Sequence, residues 1–267
     1  MAEENEAEKP KMPIPELGFG TYGLEGDAAI QATLDALELG YRHIDTADIY
    51  NNEVEIGKAI VDSGIPREDI FITTKIWPSN YAESKFPEAL ESALHYLQTS
   101  YVDLLLLHWP PEASEYKSVF ELLCAARDYR RQTRYIGVSN FDNQTLKQAV
   151  KQTDSIDCHQ IELHPYYDRS ALIQVSESYG MKINAYCALA GGKVIDDPII
   201  QEIAIQTESS PAAVALRWMI DRGYSVSTTS SKRFHLQENL TYRDIKLSDK
   251  QRKRIDKMAR PNGSVLD

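Results

Sequence analysis

The order of strand-like and helical segments limits the fold of this chain more than any other feature of its sequence. Short apolar runs that favour β-strands recur and are separated by segments with helical periodicity. The helical pattern is clearest in "DAAIQATLDALEL" from Asp27 and "PAAVALRWMIDRG" from Pro211. The predicted strands span residues 17–20, 43–45, 71–75, 102–108, 135–139, 157–160, 182–186 and 224–228. Eight strands alternating with helices predict an α/β fold, the (β/α)8 TIM barrel, with a doubly wound sheet as the alternative.

The chain has the length and composition of one barrel domain. It has 267 residues, of which 42% are hydrophobic and 26% charged, as is typical of a globular protein. No apolar run approaches the roughly 20 residues that a membrane-spanning helix needs. The first segment, "MAEENEAEKPKM", is acidic and polar. We therefore predict a mobile acidic tail over residues 1–12 and a single barrel domain over residues 13–267.

Charge and cysteine content limit the partners and the location of the protein. The net charge of −11 argues against nucleic acid and anionic membranes as general partners. Cys124, Cys158 and Cys187 are odd in number and lack a C-x-x-C pair, as expected of packing residues in a reducing compartment. We expect a cytoplasmic monomer whose partner is a small molecule.

Polar side chains end three consecutive predicted strands. Asp45 ends the second strand, Lys75 the third and His108 the fourth, and Tyr50 follows Asp45 closely. In a (β/α)8 barrel, the carboxyl ends of the strands meet on the face that carries the active site. The sequence therefore predicts that these four side chains form one catalytic site.

The same stretch, "HIDTADIYNNEVEIGKAI", also has an ordinary structural interpretation. Asp48 or Asn51 would cap a helix that buries Val54, Ile56 and Ile60. Taken singly, the aspartate, tyrosine, lysine and histidine could each serve packing or ion pairing. Only their joint position at neighbouring strand ends favours catalysis.

Two other motifs suggest sites that their contexts do not support. "GFGTYG" matches G-x-G-x-x-G at Gly18, Gly20 and Gly23, but three prolines precede it where a Rossmann unit needs a long buried strand. "CHQIELHPY" contains two histidines and a glutamate, as in a metal-dependent barrel hydrolase. Because side chains alternate along a strand, His159 would face away from Glu162 and His164. We predict that the chain needs no metal ion.

The four strand-end residues can together protonate an oxygen. An ammonium beside a tyrosine favours the phenolate and lowers its pKa from about 10. Asp45 would keep Lys75 charged, and Lys75 would lower the pKa of Tyr50 in this way. His108 follows four leucines, so it should be mostly neutral and able to hydrogen-bond a carbonyl oxygen. This set suits the reduction of a carbonyl group by hydride transfer.

Six stretches of the sequence resemble the successive motifs of the aldo-keto reductase family. They are "HIDTADIYNNE", "ITTKIW", "DLLLLHWP", "IGVSNF", "QIELHPY" and "AYCALA". The resemblance runs in order from about Leu17 to near Leu247. Within the family, the chain is most similar to the bacterial branch of 2,5-diketo-D-gluconate and methylglyoxal reductases. The resemblance implies that Tyr50 is the general acid, that Lys75 and Asp45 tune it, and that His108 orients the substrate carbonyl.

The resemblance also implies a nicotinamide cofactor, with NADP(H) preferred and NAD(H) possible. The cofactor-binding residues implied in this way are Gly20, Thr21, Ser139, Asn140, Gln160, Tyr186, Leu189, Ser230, Lys232, Arg233, Glu238 and Asn239. Among them, Ser139, Asn140 and Gln160 match the clamp for the carboxamide, and Tyr186 matches the ring that stacks on nicotinamide. The aromatic substrate pocket would consist of Tyr22, Trp77 and Trp109, beside His108.

Some positions depart from the family pattern. Many relatives carry a lysine where this chain has Thr229 and an arginine where it has His235. A long C-terminal loop usually narrows the pocket in this family, whereas only "MARPNGSVLD" follows the last predicted helix. We therefore expect the sequence to leave substrate choice open. The prediction is an NAD(P)H-dependent reductase of aldehydes, dicarbonyls or diketo sugar acids. The alternative is a non-catalytic relative that keeps the cofactor site for redox sensing or an accessory role.

Overall fold

Eight parallel strands form a closed barrel within the part of the chain that the structure describes. The computed structural model describes residues 12–153 and 155–266. The strands are β1 (Leu17–Gly20), β2 (His43–Asp45), β3 (Phe71–Ile76), β4 (Val102–Leu107), β5 (Thr133–Ser139), β6 (Cys158–Glu162), β7 (Lys182–Tyr186) and β8 (Ser225–Thr228). Each strand pairs with the next, and β8 pairs with β1, so the sheet has no edge. The closure confirms the (β/α)8 TIM barrel and rules out the doubly wound sheet.

Helices follow the strands and cover the outside of the barrel. They are α1 (Gly26–Glu38), α2 (Glu53–Asp62), α3 (Phe86–Tyr96), α4 (Tyr116–Asp128), α5 (Asn143–Ala149), α6 (Ser170–Ser178), α7 (Pro198–Gln206), α8 (Pro211–Ile220), α9 (Arg233–Leu240) and α10 (Asp249–Asp256). The start of α8 follows simple rules. The Ser210 hydroxyl accepts a hydrogen bond from the Ala213 N–H at 3.1 Å, and Pro211 occupies the first turn, where its missing N–H costs nothing.

The strand boundaries differ from the predicted ones by a few residues. β6 runs to Glu162 rather than ending at Gln160, and β3 continues to Ile76. β4 ends at Leu107, so His108 is the first residue beyond it. The His108 N–H still donates to the Ile76 carbonyl at 3.0 Å, which keeps the histidine at the mouth of the barrel.

The barrel interior is apolar toward the amino ends of the strands and polar toward the carboxyl ends. An apolar cluster fills the amino end: Met12, Ile14, Phe71, Leu104, Leu106 and Cys158. Most of the predicted tail, residues 1–11, lies outside the described residues, whereas Met12 is buried in this cluster. The polar residues of the candidate site therefore stand on a packed apolar floor.

The glycines of "GFGTYG" belong to the barrel and its first loop, so the Rossmann interpretation is wrong. Gly18 lies on β1, where a Cβ atom would stand 2.3 Å from Nδ1 of His43. Gly20 ends the same strand, and its Cβ would stand 2.8 Å from the Thr229 hydroxyl. The missing side chains thus give room to neighbours inside the barrel.

Two further observations concern the helices and the cysteines. No helix within residues 12–153 and 155–266 has the length and apolar character needed to cross a membrane. The cysteines are free thiols; Cys158 is buried inside the barrel, and Cys124 and Cys187 are half-buried.

Candidate active site

A buried ion pair lies at the carboxyl ends of β2 and β3. The Lys75 ammonium donates to Oδ1 of Asp45 at 2.5 Å, to the Thr46 carbonyl at 2.9 Å and to the Tyr50 hydroxyl at 3.3 Å. Asp45 is 4% exposed and Lys75 1% exposed. Three acceptors thus engage the three N–H groups of the ammonium, so Lys75 has no donor left for a further ligand.

The pair is held in its charged form. Burial alone would raise the pKa of Asp45, but the Lys75 ammonium and the Ser227 hydroxyl outweigh burial and hold that pKa below its usual range. Burial alone would lower the pKa of Lys75, but the Asp45 carboxylate outweighs it and raises that pKa. Both groups are therefore ionised at neutral pH.

Tyr50 projects into the site from a single helical turn after β2. This 3₁₀ turn spans Asp48–Tyr50 and ends at Asn51, which has a left-handed backbone conformation with φ of 55°. The tyrosine ring meets the ring of Tyr22 edge-on, with centroids 5.2 Å apart, and that of His108 at 5.7 Å. The turn thus brings the phenol into reach of Lys75, as the sequence predicted.

The pKa of Tyr50 departs from the sequence-based prediction. Burial raises this pKa above its ordinary value of 10, and the opposing effect of the Lys75 ammonium is smaller. The predicted net lowering of this pKa is therefore wrong, because the tyrosine is more buried than the sequence could show. The phenol carries its proton throughout the neutral range.

His108 lies beside Tyr50 as a neutral imidazole. Burial, helped by the Lys75 ammonium, lowers the pKa of His108 to about 3. Its buried Nδ1 atom has no hydrogen-bond partner among the described residues. The imidazole ring packs edge-on against Trp77, with centroids 5.0 Å apart. The prediction of a mostly neutral histidine is in agreement with this environment.

This low pKa predicts how His108 behaves as pH changes. We expect its imidazole to stay neutral from pH 5 to pH 9, because protonation would bury a second cation near Lys75. Its ring signals in NMR spectra, assigned by their loss in His108→Gln, should not titrate in this range. A titration midpoint near 6.5 for the assigned signal would contradict the predicted neutrality.

Asp48 has a role that the sequence did not reveal. Its Oδ2 atom accepts hydrogen bonds from the Trp77 N–H and from the Asn80 side chain, both at 3.0 Å. It does not cap α2, and neither does Asn51: the helix begins after Asn52, without a side-chain cap. The capping interpretation is therefore wrong. Asp48 instead holds the loop after β3, which carries Trp77 beside His108.

The buried face of α2 also differs in one residue from the prediction. Ile56 and Ile60 are buried as expected, whereas Val54 is 55% exposed. Val54 lies in the first turn of α2, two residues before Ile56 and therefore about 200° around the helix from it, so it points outward.

The predicted substrate aromatics surround the mouth of the site to different extents. Trp77 is half-buried against His108, whereas Tyr22 is 72% exposed and Trp109 is largely exposed. The Trp109 carbonyl accepts a hydrogen bond from the Tyr81 hydroxyl at 2.6 Å, which fixes the backbone at this point. The rim is thus aromatic and open.

The predicted carboxamide residues and Tyr186 lie on or next to β5, β6 and β7: Ser139 ends β5, Asn140 follows it, Gln160 lies within β6 and Tyr186 ends β7. The Ser139 hydroxyl is buried and has no hydrogen-bond partner among the described residues. Asn140 uses both ends of its amide, donating to the His108 carbonyl at 3.0 Å and accepting from the Tyr186 hydroxyl at 2.6 Å. Gln160 donates to Asp45 at 2.5 Å. Ser139 is therefore the free hydroxyl of this group, and Asn140 ties His108 to Tyr186.

Three further predicted cofactor residues line the neighbouring loops. Thr21 follows Gly20 and donates its hydroxyl proton to Thr46 at 2.9 Å. Leu189 precedes a 3₁₀ segment, Ala190–Ile195, and packs against its apolar side. The structure brings these residues to the same end of the barrel as the ion pair.

The last predicted group lies just before α9 and along it. The Ser230 hydroxyl accepts from the Lys232 N–H at 3.1 Å, and Asn239 is buried, with its amide 3.4 Å from the Thr228 hydroxyl. Arg233 does not join Lys232. Its guanidinium contacts two carboxylates of α1, Asp35 at 3.0 Å and Glu38 at 2.9 Å. Glu238, near the end of α9, is half-buried.

The residues considered as metal ligands are divided between two places. Nδ1 of His159 contacts the Ser176 hydroxyl at 2.8 Å outside the barrel. Glu162 lies 3.0 Å from Nε2 of His164 and accepts from the Ser264 hydroxyl and the Val265 N–H, each at 2.8 Å. Among the described residues, no three histidine, cysteine or carboxylate side chains are grouped so that they could hold a metal ion.

Sequence reasoning missed a polar network inside the barrel. Asn184 on β7 and Ser225 and Ser227 on β8 are buried. Asn184 donates to both serine hydroxyls and accepts from Gln160. The available signal was weak: polar residues occupy alternate positions in "KINAY" and "SVST", where an apolar interior would be usual.

The barrel and its charged site define a class of enzyme, and the chain belongs to the aldo/keto reductase family. The family profile, described as Aldo/keto reductase family, matches residues 16–260. Methylglyoxal reductase DkgB of Escherichia coli O157:H7 is 39% identical over 262 residues, which cover 94% of this chain and 98% of that protein.

Solved structures agree with this membership. A crystal structure provisionally assigned as a 2,5-diketo-D-gluconic acid reductase B superposes with a TM-score of 0.92 at 38% identity, covering 95% of this chain and 91% of the other. An aldo/keto reductase from Brucella melitensis superposes with a TM-score of 0.88 at 36% identity, covering 92% and 95%. The resemblance inferred from the sequence motifs is therefore confirmed at the level of the family.

Proposed function

We propose that the protein reduces small carbonyl compounds with a nicotinamide cofactor and that Tyr50 is its general acid. The observation that carries this proposal is the contact between the Tyr50 hydroxyl and the Lys75 ammonium, 3.3 Å apart. Because the other two N–H groups of Lys75 bind Asp45 and Thr46, the phenol is the group that can pass a proton to a substrate.

Each residue of the site has a distinct part in this mechanism. A bound nicotinamide would supply the hydride. Tyr50 donates its proton to the carbonyl oxygen as negative charge develops there, and the Lys75 ammonium stabilises the phenolate that remains. Asp45 keeps Lys75 charged and in place. His108, which is neutral, donates a ring N–H to the same oxygen and orients the carbonyl.

The residues present fit a nicotinamide group. Ser139 offers a buried hydroxyl that has no partner among the described residues, which is the expected state of a group that bonds a ligand. Tyr186 is half-buried, and its hydroxyl is tied to Asn140, which orients its ring. We infer that Ser139 and Gln160 bind the carboxamide and that Tyr186 stacks on the ring, as in the family.

The proposed substrates are methylglyoxal, related aldehydes and diketo sugar acids. Two relatives support this choice by name, one as a methylglyoxal reductase and one provisionally as a 2,5-diketo-D-gluconic acid reductase. We expect such compounds to reach the site through the aromatic rim of Tyr22, Trp77 and Trp109, since Tyr22 and Trp109 are exposed. A monomeric, cytoplasmic enzyme stays a prediction from the sequence.

A steady-state assay separates this function from a non-catalytic cofactor-binding role. Oxidation of NADPH is followed by absorbance with methylglyoxal and with 2,5-diketo-D-gluconate as substrates. Saturable turnover with either compound supports the reductase. Tight NADPH binding without reduction of any carbonyl in a wider panel would favour the non-catalytic alternative.

We expect NADPH to be preferred over NADH and the preference to depend on Lys232. Arg233 is held on α1 by Asp35 and Glu38, whereas Lys232 makes no ion pair with any described residue. A charge-assisted bond to the additional phosphate of NADPH is worth about 1.5–3 kcal/mol, or about tenfold to a hundredfold in kcat/KM.

Lys232→Ala should therefore lower kcat/KM for NADPH at least about tenfold and leave that for NADH nearly unchanged. Arg233→Ala is the matched control, since it removes a neighbouring cation that is already paired, and its effect should be much smaller. Equal losses in the two variants, or a wild-type preference for NADH, would show that the phosphate lies elsewhere.

A further inference from the structure

A chain of side-chain hydrogen bonds crosses the barrel interior from its floor to Gln160. The Ser225 hydroxyl donates to the Pro15 carbonyl at 2.6 Å, and Nδ2 of Asn184 donates to the Ser225 oxygen at 3.1 Å. Nε2 of Gln160 then donates to Oδ1 of Asn184 at 2.6 Å and to Oδ2 of Asp45 at 2.5 Å. We call these four side chains and the Pro15 carbonyl the interior chain.

The lower end of the interior chain determines the direction of every bond in it. A backbone carbonyl can only accept, so Ser225 uses its one hydroxyl proton on Pro15 and can only accept from Asn184. Asn184 must therefore turn its NH₂ group toward Ser225. Its oxygen, Oδ1, is then left facing Gln160.

The Asp45 end of the interior chain gives the same orientation of the Asn184 amide independently. Ser227 donates to Oδ2 of Asp45 at 2.9 Å, a shorter distance than its 3.4 Å to Oδ1 of Asn184, and it can accept from Nδ2 of Asn184 at 3.4 Å. Gln160 thus faces two acceptors, the Asp45 carboxylate and Oδ1 of Asn184. The reversed amide would set its own oxygen against both, with no proton between them.

Both N–H groups of Gln160 are therefore used inside the barrel. Gln160 is buried, and no residue within 12–153 and 155–266 donates a hydrogen bond to its Oε1 atom. A carbonyl oxygen is what the NH₂ group of a nicotinamide carboxamide needs as its partner.

We propose that Asn184 is a positioning residue that, as the second acceptor for the Gln160 amide beside Asp45, fixes Gln160 with Oε1 toward the cofactor, so that the site selects a carboxamide NH₂. The inference rests on the proposed function, because it assumes that a nicotinamide binds beside Gln160. It adds a role for Asn184 and Ser225, which would not touch the cofactor.

Binding of two oxidised dinucleotides tests this role without turnover. One is NADP⁺, and the other is its 3-acetylpyridine analogue, in which a methyl ketone replaces the carboxamide and removes its N–H donors. Dissociation constants are measured by quenching of tryptophan fluorescence. For the wild type we expect NADP⁺ to bind about fivefold more tightly, the value of one neutral hydrogen bond.

Two variants of the same shape at position 184 give the decisive comparison. Asn184→Val removes one of the two acceptors for Gln160, so the amide keeps only its bond to Asp45 and loses its fixed position, and the ratio of the two dissociation constants should fall below the wild-type value. Asn184→Thr restores a hydroxyl that can accept from Gln160 and should keep most of the wild-type ratio. The control is Ser176→Ala, which deletes a buried, bonded hydroxyl outside the barrel and should leave the ratio unchanged.

Each outcome bears on a different statement. A wild-type ratio retained in Asn184→Val, or equal falls in the valine and threonine variants, would overturn the positioning role. Failure of the wild type to bind either dinucleotide would instead overturn the proposed function. If Asn184→Val does not fold, Ser225→Ala tests the interior chain from its lower end: a reduced ratio supports the role and an unchanged ratio overturns it.

Discussion

Replacing Tyr50 by phenylalanine should abolish carbonyl reduction while leaving cofactor binding nearly intact. The phenol proton is needed only as charge develops on the substrate oxygen, so its loss affects the transition state and not the binding of the dinucleotide. We expect kcat/KM to fall about 10²- to 10⁴-fold, the usual contribution of a positioned acid. Quenching of tryptophan fluorescence by NADPH should persist.

A second buried tyrosine provides the control for Tyr50→Phe. Tyr116 packs on Phe120 and Phe141, outside the barrel and away from the ion pair. Tyr116→Phe removes the same atom, so its kcat/KM should stay within about threefold of the wild-type value, as for an ordinary core substitution. Near-normal turnover in Tyr50→Phe would remove Tyr50 as the acid, and another donor would have to be sought.

Replacing Lys75 by methionine should cost both activity and stability. Asp45 would remain as a buried carboxylate that has lost its cation and is bonded only to Gln160 and Ser227. Breaking a buried pair in this way typically costs about 3–5 kcal/mol. We expect a loss of this size in the free energy of unfolding, measured by denaturant titration, and at least about a hundredfold loss of kcat/KM.

The double variant Asp45→Asn, Lys75→Met separates charge from packing. Removing both charges leaves no unpaired ion, so most of the lost stability should return, whereas activity should not. A double variant no more stable than Lys75→Met would contradict the picture of an electrostatically coupled pair.

The pKa shifts of the pair also predict a pH window for its contribution to stability. The pKa of Asp45 is lowered in the folded state, so its contribution is present above the unfolded pKa of about 3.9 and is lost as pH falls below it. The pKa of Lys75 is raised, so its contribution is present below about 10.4 and is lost as pH rises further. The stability advantage of wild type over the double variant should be greatest between these limits.

Sequence patterns were sufficient for the fold and for the centre of the site. The alternation of strands and helices predicted the barrel, since only a few architectures bury such a pattern. Asp45, Lys75 and His108 could be placed together because parallel strands in a closed barrel present their carboxyl ends on one face. The chemistry of these residue types then indicated carbonyl reduction before any contact was known.

Other features could not be predicted because they depend on contacts between residues far apart in sequence. Asp48 looked like a helix cap, yet its partners lie on the loop after β3. Arg233 looked like a phosphate ligand, yet two carboxylates of α1 bind it. The pKa of Tyr50 depends on how deeply the ring is buried, which no local pattern reports.

By itself, then, the sequence determined which residue types stand at which strand ends, because periodicity and register are local properties that the chain carries along its length. Only the tertiary structure decided which hydrogen-bond donor pairs with which acceptor in the site. The direction in which Gln160 points depends on Asp45 and on Asn184, and through Asn184 on Ser225 and the Pro15 carbonyl, which come from four separate parts of the chain. The direction of each hydrogen bond depends on the whole network, because a group can donate to one neighbour only if its other neighbours accept or donate accordingly.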